Sequence, residues 1–389
     1  MPASTAQLAH ELAQLDEQGL RRRRRVLATP QRGHVVVDGR EYVSFCSNDY
    51  LGLAAHPDLI RAAQEGAAQF GVGAGASHLI LGHSVAHEAL ETALAQFVDM
   101  PAALLFSSGY MANMAIVTAL ASRSSAVFAD RLNHASLNDA VLLSRAELRR
   151  YAHGDVAMLE RLLAASDAAT KLIVSDAVFS MDGDIAPVRE LHALAERHDA
   201  WLVLDDAHGF GVLGARGRGV LELFEVRSPR LVYMATLGKA AGVSGAFVAA
   251  ARDVIETLIQ RARTYIYTTA APPLLAHAVS KSLELIERDD WRRKRLAEHI
   301  GEITTRLGAL CWKLLPSQTA IQPLIVGESR AALALSEELA KRGLLVPAIR
   351  PPTVPRGTAR LRISLSADHT PHDICLLADA LVDVERTTR

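Results

Sequence analysis

Apolar and polar positions along the middle of this chain predict strands and helices that follow one another. Between residue 55 and about residue 265, short apolar runs are separated by longer stretches with helical spacing. The runs that predict strands are ALLF, AVFAD, LRRY, KLIVSD, WLVLDD, RLVYMA and GAFVAA. The helical stretches include SVAHEALETALAQFV, DVAMLERLLAA and PVRELHALAERHD. Strands that alternate with helices predict a largely parallel sheet with helices on both faces.

Two further regions flank this alternation. Leucines at helical spacing predict an N-terminal helix: Leu8, Leu12, Leu15 and Leu20. The string HVVVDGREYVSF then predicts a hairpin that turns at Asp38-Gly39. Near the other end, the runs TAIQPLIVG, GLLVPAI and ARLRISL predict a smaller α+β domain. We therefore predict an N-terminal helix and hairpin segment (1–50), a large α/β domain (51–285) and a small C-terminal domain (286–389).

Composition narrows the class of protein. The net charge is −1 over 389 residues, which gives no overall attraction to nucleic acid or to anionic membranes. The three cysteines, Cys46, Cys311 and Cys375, form no CxxC pair, which argues against a disulfide framework and fits a reducing compartment. No apolar run approaches the ~20 residues of a membrane span, and the N-terminus lacks the apolar core of a signal peptide. We expect a soluble cytoplasmic protein.

Five consecutive arginines at 21–25 stand out from this neutral background. Such a run could bind nucleic acid, with steep salt dependence. It could instead end the N-terminal helix, where cations meet the negative end of the helix dipole. A third interpretation is that one arginine turns inward to hold an anionic substrate.

Candidate chemistry lies in the segments that directly follow the predicted strands, because ligands of open α/β sheets bind beyond the carboxyl ends of the strands. In LLFSSGYMAN, Gly109 and Tyr110 follow two serines at the predicted start of a helix, where anions commonly bind. An ordinary serine N-cap would explain the same sequence. WLVLDDAHGFG places Asp205 and His208 at another strand end. His134 and Ser180 follow two further strands.

Lys239 is the most unusual of these residues. It lies in MATLGKAAGVSG, three residues after Thr236 and among small neighbours, on a tight connection between two apolar runs. A desolvated lysine loses its proton more easily and can act as an amine, whereas a structural lysine would extend its head to water.

Three other motifs are weak. Asp205, Asp206 and His208 could bind a metal, but no second cluster completes a site, and strand alternation places the two aspartates on opposite faces. GFGVLG at 209–214 matches a dinucleotide fingerprint without the helix that should follow. Gly238-Lys239 is followed by Ala, which excludes a P-loop. We predict no metal.

One cofactor unites the strand-end residues. A lysine amine, a phosphate site at a helix start and an aspartate for a pyridinium nitrogen are what pyridoxal phosphate requires. The ordered strings SSGYMAN, DRLNHAS, VFSMDGDIAP, LDDAHGFGVLG and TLGKAAGVSG resemble those of the α-oxoamine synthases over essentially the whole chain. The resemblance implies a fold-type I pyridoxal-phosphate-dependent acyltransferase, with a mostly parallel central sheet and a smaller C-terminal α+β domain.

The resemblance also implies roles for individual residues. Lys239 would form the imine with the cofactor and then act as the base at the substrate Cα. Asp205 would keep the pyridine nitrogen protonated, His208 would bind the phenolic oxygen, and His134 would stack on the ring. The phosphate would be bound by Gly109, Tyr110, Thr236 and Ser180, with Thr268 and Thr269 supplied by a partner subunit. This last assignment implies an obligate homodimer.

Five residues are assigned to substrate by the same resemblance, and His134 is one of them. Arg362, in ARLRIS, would clamp the amino-acid carboxylate, while Arg21, Asn48 and Thr353 fall on substrate-contact positions. Asp176 and Ala177 stand where relatives usually have Glu-Gly or Glu-Ser, and the loop GAGASHLILGHSVAHEALE is unusually apolar. We expect neither departure to touch a group with a chemical role.

The strings AIQPLIVG and AIRPPTVPRGTARLRISL resemble the branch of the family that serves biotin biosynthesis. That branch condenses L-alanine with a pimeloyl thioester of CoA or of an acyl carrier protein. The alternatives are a glycine C-acetyltransferase activity, with glycine and a short acyl-CoA, and a non-catalytic scaffold subunit of the same fold. Lys239 argues against the scaffold.

Overall fold

The computed structural model describes residues 4–388. The helices are α1 (Thr5–Glu17), α2 (Pro57–Phe70), α3 (Val85–Phe97), α4 (Gly109–Leu120), α5 (Ala135–Ser144), α6 (Val156–Ala164), α7 (Val188–Arg197), α8 (Val220–Phe224), α9 (Arg252–Arg261), α10 (Arg263–Ile266), α11 (Pro273–Arg288), α12 (Trp291–Leu307), α13 (Ser329–Lys341) and α14 (Pro371–Thr388). A π-helix spans His78–Gly82.

The strands are β1 (His34–Val37), β2 (Arg40–Ser44), β3 (Ala102–Phe106), β4 (Ser125–Asp130), β5 (Glu147–Tyr151), β6 (Thr170–Asp176), β7 (Trp201–Asp205), β8 (Leu231–Thr236), β9 (Ala246–Ala250), β10 (Lys313–Leu314), β11 (Ile321–Gly327), β12 (Leu344–Leu345), β13 (Ala348–Ile349) and β14 (Ala359–Ser364). Each strand run predicted between residues 55 and 265 is present.

The described residues form two compact units. The large unit comprises Asp49–Ser180 and Asp184–Lys294, and the small unit comprises residues 4–48, Met181–Gly183 and 295–388. The predicted division at residues 50 and 285 stays a prediction.

A mostly parallel sheet organises the large unit, as predicted. Within the described residues it has seven strands in the order β3-β9-β8-β7-β6-β4-β5. Strands β5, β4, β6, β7 and β8 run parallel, while β9 is antiparallel to both of its neighbours. All residues of β4 and β9 are buried, as expected for strands covered by helices on both faces. The carboxyl ends of β4, β6, β7 and β8 therefore share one edge.

The small unit holds two smaller sheets. Strands β1 and β2 form the predicted hairpin, with Val37 opposite Arg40 across the Asp38-Gly39 turn, and β12 pairs in parallel with β2. The other sheet has the antiparallel order β10-β11-β14-β13.

The arginine run does not end the N-terminal helix, so that interpretation was wrong. Helix α1 ends at Glu17, and Gly19 follows in the left-handed region with φ of 64°. The N–H of Leu20 donates to the carbonyl of Leu15 at 2.8 Å, which is the hydrogen bond of a Schellman cap. Glycine at this position stops the helix before the first arginine.

Within the part of the chain that is described, none of the helices has both the length and the apolar character needed to cross a bilayer. The cytoplasmic location stays a prediction.

Candidate active site

A cavity of about 190 Å³ lies within the large unit, at the edge where β4, β6, β7 and β8 end. Its lining residues lie in the last residues of these strands, in the loops that follow them, or near the start of α4 or α5: Gly109, Tyr110, Asn113, His134, Ser136, Asp176, Val178, Ser180, Asp205, Ala207, His208, Met234, Thr236 and Lys239. The sheet topology therefore brings together segments that are far apart in sequence.

Lys239 lies on the short connection between β8 and β9, and its amine contacts a histidine. Its Nζ is 3.0 Å from His208 Nε2, and His208 Nδ1 is 2.6 Å from the hydroxyl of Tyr50. The half-buried amine thus sits beside a group that can exchange a proton with it. Tyr50 orients that imidazole from its other side.

Asp205 ends β7 and is buried among hydrogen-bond donors. Its Oδ2 accepts from Asn113 Nδ2 at 2.7 Å, and its Oδ1 accepts from the Ala207 N–H at 3.0 Å. The same Asn113 amide donates to Ser136 Oγ at 2.8 Å, which lies 2.7 Å from His134 Nδ1. These bonds hold Asp205 and His134 in one network. Two donors on one carboxylate stabilise its negative charge.

Asp176, at the end of β6, corrects one expectation. It lines the cavity, and its Oδ2 accepts the backbone N–H of His134 at 3.0 Å. It is also the register partner of Asp205 on the adjacent strand. Burial, followed by the nearby charge of Asp205, raises the pKa of Asp176 well above its usual value. This departure from the family pattern therefore does contact residues to which the resemblance assigns chemical roles.

Asp206 belongs to a different environment, as the alternation along β7 predicted. Its Oδ2 accepts the Val220 N–H and the Tyr233 hydroxyl, both at 2.8 Å. A Cβ at Gly219, whose φ is 76°, would lie 1.9 Å from that oxygen. A Cβ at Gly209, the first residue of the dinucleotide-like string, would likewise lie 2.1 Å from Asp206 Oδ1, so both glycines let the chain pass close to a buried aspartate.

The groups expected to bind phosphate differ in their surroundings. Ser108 caps α4 by accepting from the Met111 N–H at 3.3 Å, so the first turn of α4 faces the cavity with Gly109 and Tyr110. Thr236 Oγ1 donates to the carbonyl of Gly245 at 3.0 Å. Thr268 and Thr269 do not belong to the lining of this cavity in the described chain.

Of the residues expected to bind substrate, His134 lines the cavity of the large unit, and the other four belong to the small unit. Arg362 is buried on β14, and its Nη1 donates to Asn48 Oδ1 at 3.2 Å and to Ser364 Oγ at 2.7 Å. Arg21 instead pairs with Asp16. Thr353 accepts a long hydrogen bond of 3.4 Å from Arg22.

Three lining or supporting residues were not singled out by the sequence analysis, namely Tyr50, Asn113 and Ser136, and Asp176 was named there without a role at the site. Asn113 had a usable signal, because it lies one helical turn after Gly109. The position of Tyr50 beside His208 depends on a long-range contact that spacing does not reveal.

Comparison with known proteins places the chain in a family. Residues 40–381 match the family model described as aminotransferase class I and II. The 8-amino-7-oxononanoate synthase of Nitrosomonas europaea is 62% identical, over 97% of this chain and 99% of that protein. The one from Nitrosospira multiformis is 63% identical, over 94% and 93%. This chain belongs to the 8-amino-7-oxononanoate synthase family.

Solved structures agree with this membership. Serine palmitoyltransferase of Sphingomonas wittichii superposes with a TM-score of 0.93 at 30% identity, over 99% of this chain and 97% of that chain. The 8-amino-7-oxononanoate synthase of Francisella tularensis gives 0.78 at 32% identity, over 90% and 99%. A structure of SPT with a PLP internal aldimine gives 0.92 at 30% identity, over 98% and 97%. The α-oxoamine synthase prediction is confirmed, and so are the fold type and a pyridoxal-phosphate-dependent transferase activity.

The cavity of this family member has the groups that pyridoxal phosphate needs. It presents the amine of Lys239, the buried carboxylate of Asp205 and the first turn of α4. An amine that can form an imine, a carboxylate for the pyridine nitrogen and N–H groups for the phosphate are the donor set that this cofactor requires.

Proposed function

We propose that this chain condenses L-alanine with a pimeloyl thioester to give 8-amino-7-oxononanoate, CO2 and the free thiol. The observation that carries the proposal is the contact between Lys239 and His208 beside the buried Asp205, in a chain about 60% identical to named 8-amino-7-oxononanoate synthases. Relatives of that name favour the alanine-using branch over the glycine-using alternative.

The bound cofactor would supply an electron sink for the negative charge that develops at the amino-acid Cα. Lys239 would attach it through Nζ and, once displaced by the amino acid, would take the proton from Cα. His208, 3.0 Å from that nitrogen, would share the proton. Asp205 would hold a proton at the pyridine nitrogen, because its buried charge favours a cation beside it.

The remaining residues would bind and orient. Gly109 and Tyr110 would offer backbone N–H groups to the phosphate, with hydroxyls from Ser180 and Thr236. His134 would stack on the ring, held by Ser136 at 2.7 Å.

Residues of the small unit would contribute to binding the two substrates. Arg362, held by hydrogen bonds to Asn48 and Ser364, would bind the alanine carboxylate, for which its planar fork is suited. Arg21 and Thr353 would contact the acyl substrate.

We also propose a homodimer in which Thr268 and Thr269 reach the phosphate of the partner subunit. Neither threonine lines the cavity of its own chain, and Thr269 is exposed. Light scattering on the purified protein checks this, and a monomeric mass would contradict it.

The test of the reaction offers the pyridoxal-phosphate-loaded protein two amino acids and three thioesters. L-Alanine with pimeloyl-CoA or with a pimeloyl acyl carrier protein should give the product by mass spectrometry, with one CO2 per product. Glycine with acetyl-CoA should give at most a few per cent of that rate. Turnover with glycine and acetyl-CoA alone would move the function to the sister activity, and comparison of the two pimeloyl donors identifies the carrier.

A further inference from the structure

The histidine beside Lys239 has a second neighbour to which the proposed function gives no role. His208 Nε2 lies 3.0 Å from Lys239 Nζ, and His208 Nδ1 lies 2.6 Å from the hydroxyl of Tyr50. Tyr50 is buried with 1% exposure, whereas His208 is half-buried. A buried phenol therefore bonds the ring nitrogen that does not contact Lys239.

The turn that carries Tyr50 is anchored by the residue before it. The carboxylate of Asp49 accepts the N–H groups of Leu53 and Ala54, at 2.9 Å and 3.0 Å. The carbonyl of Asp49 accepts the N–H of Gly52 at 3.0 Å. Three bonds to one residue fix the path of the turn, and with it the place from which the tyrosine side chain leaves.

The same turn packs directly on the loop that carries Lys239. Gly242, in that loop, has φ of 69°, and a Cβ there would lie 2.6 Å from the backbone nitrogen of Ala54. A glycine permits this approach because it has no side chain. The N–H of Gly242 donates to the carbonyl of Lys239 at 2.9 Å. Backbone packing thus sets Tyr50 relative to Lys239, and the imidazole of His208 bonds to both side chains.

An imidazole without such a bond has a freedom that this site cannot use. Rotation about the Cβ–Cγ bond of a histidine is broad, and the two ring nitrogens differ in whether they donate or accept. The hydrogen bond made by one nitrogen decides what the other presents. The Tyr50 hydroxyl on Nδ1 therefore keeps Nε2 directed at Lys239, where the proposed function needs a group that shares a proton.

We propose that Tyr50 is a positioning residue for the reaction: its hydroxyl, fixed by the anchored turn, holds His208 with Nε2 toward Lys239 and toward the cofactor that this lysine attaches. In the described chain Tyr50 is not among the residues that line the cavity, so it acts through the imidazole. The inference rests on the proposed function, in which His208 shares the proton that Lys239 takes from the amino-acid Cα.

Tyr50→Phe tests the inference, because it removes the hydroxyl and keeps the ring. Turnover with L-alanine and a pimeloyl thioester should fall about tenfold, a part of the roughly 10²- to 10⁴-fold that a placed proton-transfer group contributes. KM for both substrates should stay within about twofold, since the bond is not made to either of them.

A second readout needs no substrate. The visible absorbance of bound pyridoxal phosphate changes with pH, and His208 is expected to bind the phenolic oxygen of that cofactor. In Tyr50→Phe the midpoint of this change should shift by about half a unit or more, because a loosened imidazole alters the hydrogen bond to that oxygen.

Tyr233→Phe is the matched control. Tyr233 is buried with 0% exposure, and its hydroxyl donates to Asp206 Oδ2 at 2.8 Å; neither residue is in the described lining of the cavity. Each variant loses one buried hydrogen bond, so urea unfolding should show both folded and similarly destabilised. Turnover and the absorbance midpoint should change in Tyr50→Phe alone.

A double-mutant cycle tests whether Tyr50 acts through the histidine. In a His208→Ala background, adding Tyr50→Phe should change turnover by less than about twofold, because the group that the hydroxyl positions is gone. A further tenfold loss in that background would show that Tyr50 acts on another group and would overturn the inference.

Two other results would also overturn it. Unchanged turnover and absorbance in Tyr50→Phe would show that the hydroxyl does not position the imidazole, and equal changes in Tyr233→Phe would reduce its role to stability. Failure of the proposed function looks different. Wild type would then show the absorbance of bound pyridoxal phosphate and form no product, and the midpoint in Tyr50→Phe would still decide the role of the hydroxyl.

Discussion

Like charges lie close together in two parts of this chain: at the ends of the strands in the large sheet, and in the arginine run at 21–25. The aspartates of the first group are all buried: Asp130, Asp176, Asp205 and Asp206. The arginines of the second group are all exposed. Each aspartate accepts hydrogen bonds from identified N–H or O–H groups, while the arginines meet mostly solvent.

The difference shows that charge density in a sequence does not by itself mark a site. Water screens an exposed run, and its ion pairs contribute about 0–1 kcal/mol each. A buried charge without its donors costs several kcal/mol, so a fold that buries four aspartates must build a donor network around them. In this chain two of the four aspartates, Asp176 and Asp205, line the cavity.

The largest effect should come from removing the amine of Lys239 at the cavity. Lys239→Ala should reduce product formation at least ~1,000-fold, because the amine is both the attachment point and the base. Steady-state turnover with L-alanine and a pimeloyl thioester measures this. Lys294→Ala is the control, since Lys294 pairs with Asp290 at 2.6 Å on the surface, and it should stay within about twofold. A Lys239 variant that retained a tenth of wild-type turnover would refute the assigned role.

A smaller effect should follow from breaking the aspartate network away from the cavity. His153 Nδ1 lies 3.1 Å from Asp130 Oδ1, and its Nε2 lies 2.9 Å from Asp184 Oδ2. Burial alone would lower the pKa of His153, but hydrogen bonds and charges from the two aspartates outweigh it and raise the pKa to about 10. The protonated imidazole therefore bridges two carboxylates at ordinary pH.

His153→Gln should cost about 2–4 kcal/mol of unfolding free energy near pH 6, because it leaves a buried aspartate without its counter-ion. A raised folded-state pKa gives stability that is complete below the unfolded value near 6.5. That contribution disappears as the pH rises through about 10. Urea unfolding at pH 6 and pH 10 measures the change, and an equal loss at both pH values would contradict the charged bridge.

The smallest effect should come from the arginine run. Arg24 is exposed, so Arg24→Ala should change unfolding free energy by less than about 0.5 kcal/mol and leave turnover within about twofold. Arg25→Ala tests a second arginine of the run, and the same small effects are expected. A drop in turnover beyond about fivefold, lessened by added salt, would instead make the run a functional anion-binding surface.

The sequence predicted those parts of the site that depend on short local patterns of residues. Lys239, Asp205 and His208 directly follow strand-like runs, and a parallel sheet places such residues at one edge whatever the details of packing. The contacts of Asp176 could not be predicted in this way. Its importance comes from a register that sets it opposite Asp205 and from the His134 N–H, both fixed by tertiary packing. The end of α1 was missed because the leucine spacing continued past Gly19, whose conformation decides where the helix stops.

The antiparallel strand β9 also constrains the order in which the chain can be assembled. In the described sheet, β3 has β9 as its neighbour, so Ala102–Phe106 has no partner until Ala246–Ala250 has left the ribosome. By then Lys239 has been synthesised as well. Closure of the sheet and completion of the cavity therefore fall in one late step of biosynthesis. A nascent chain paused before residue 246 would leave the apolar strand β3 without its partner and open to pairing with other chains.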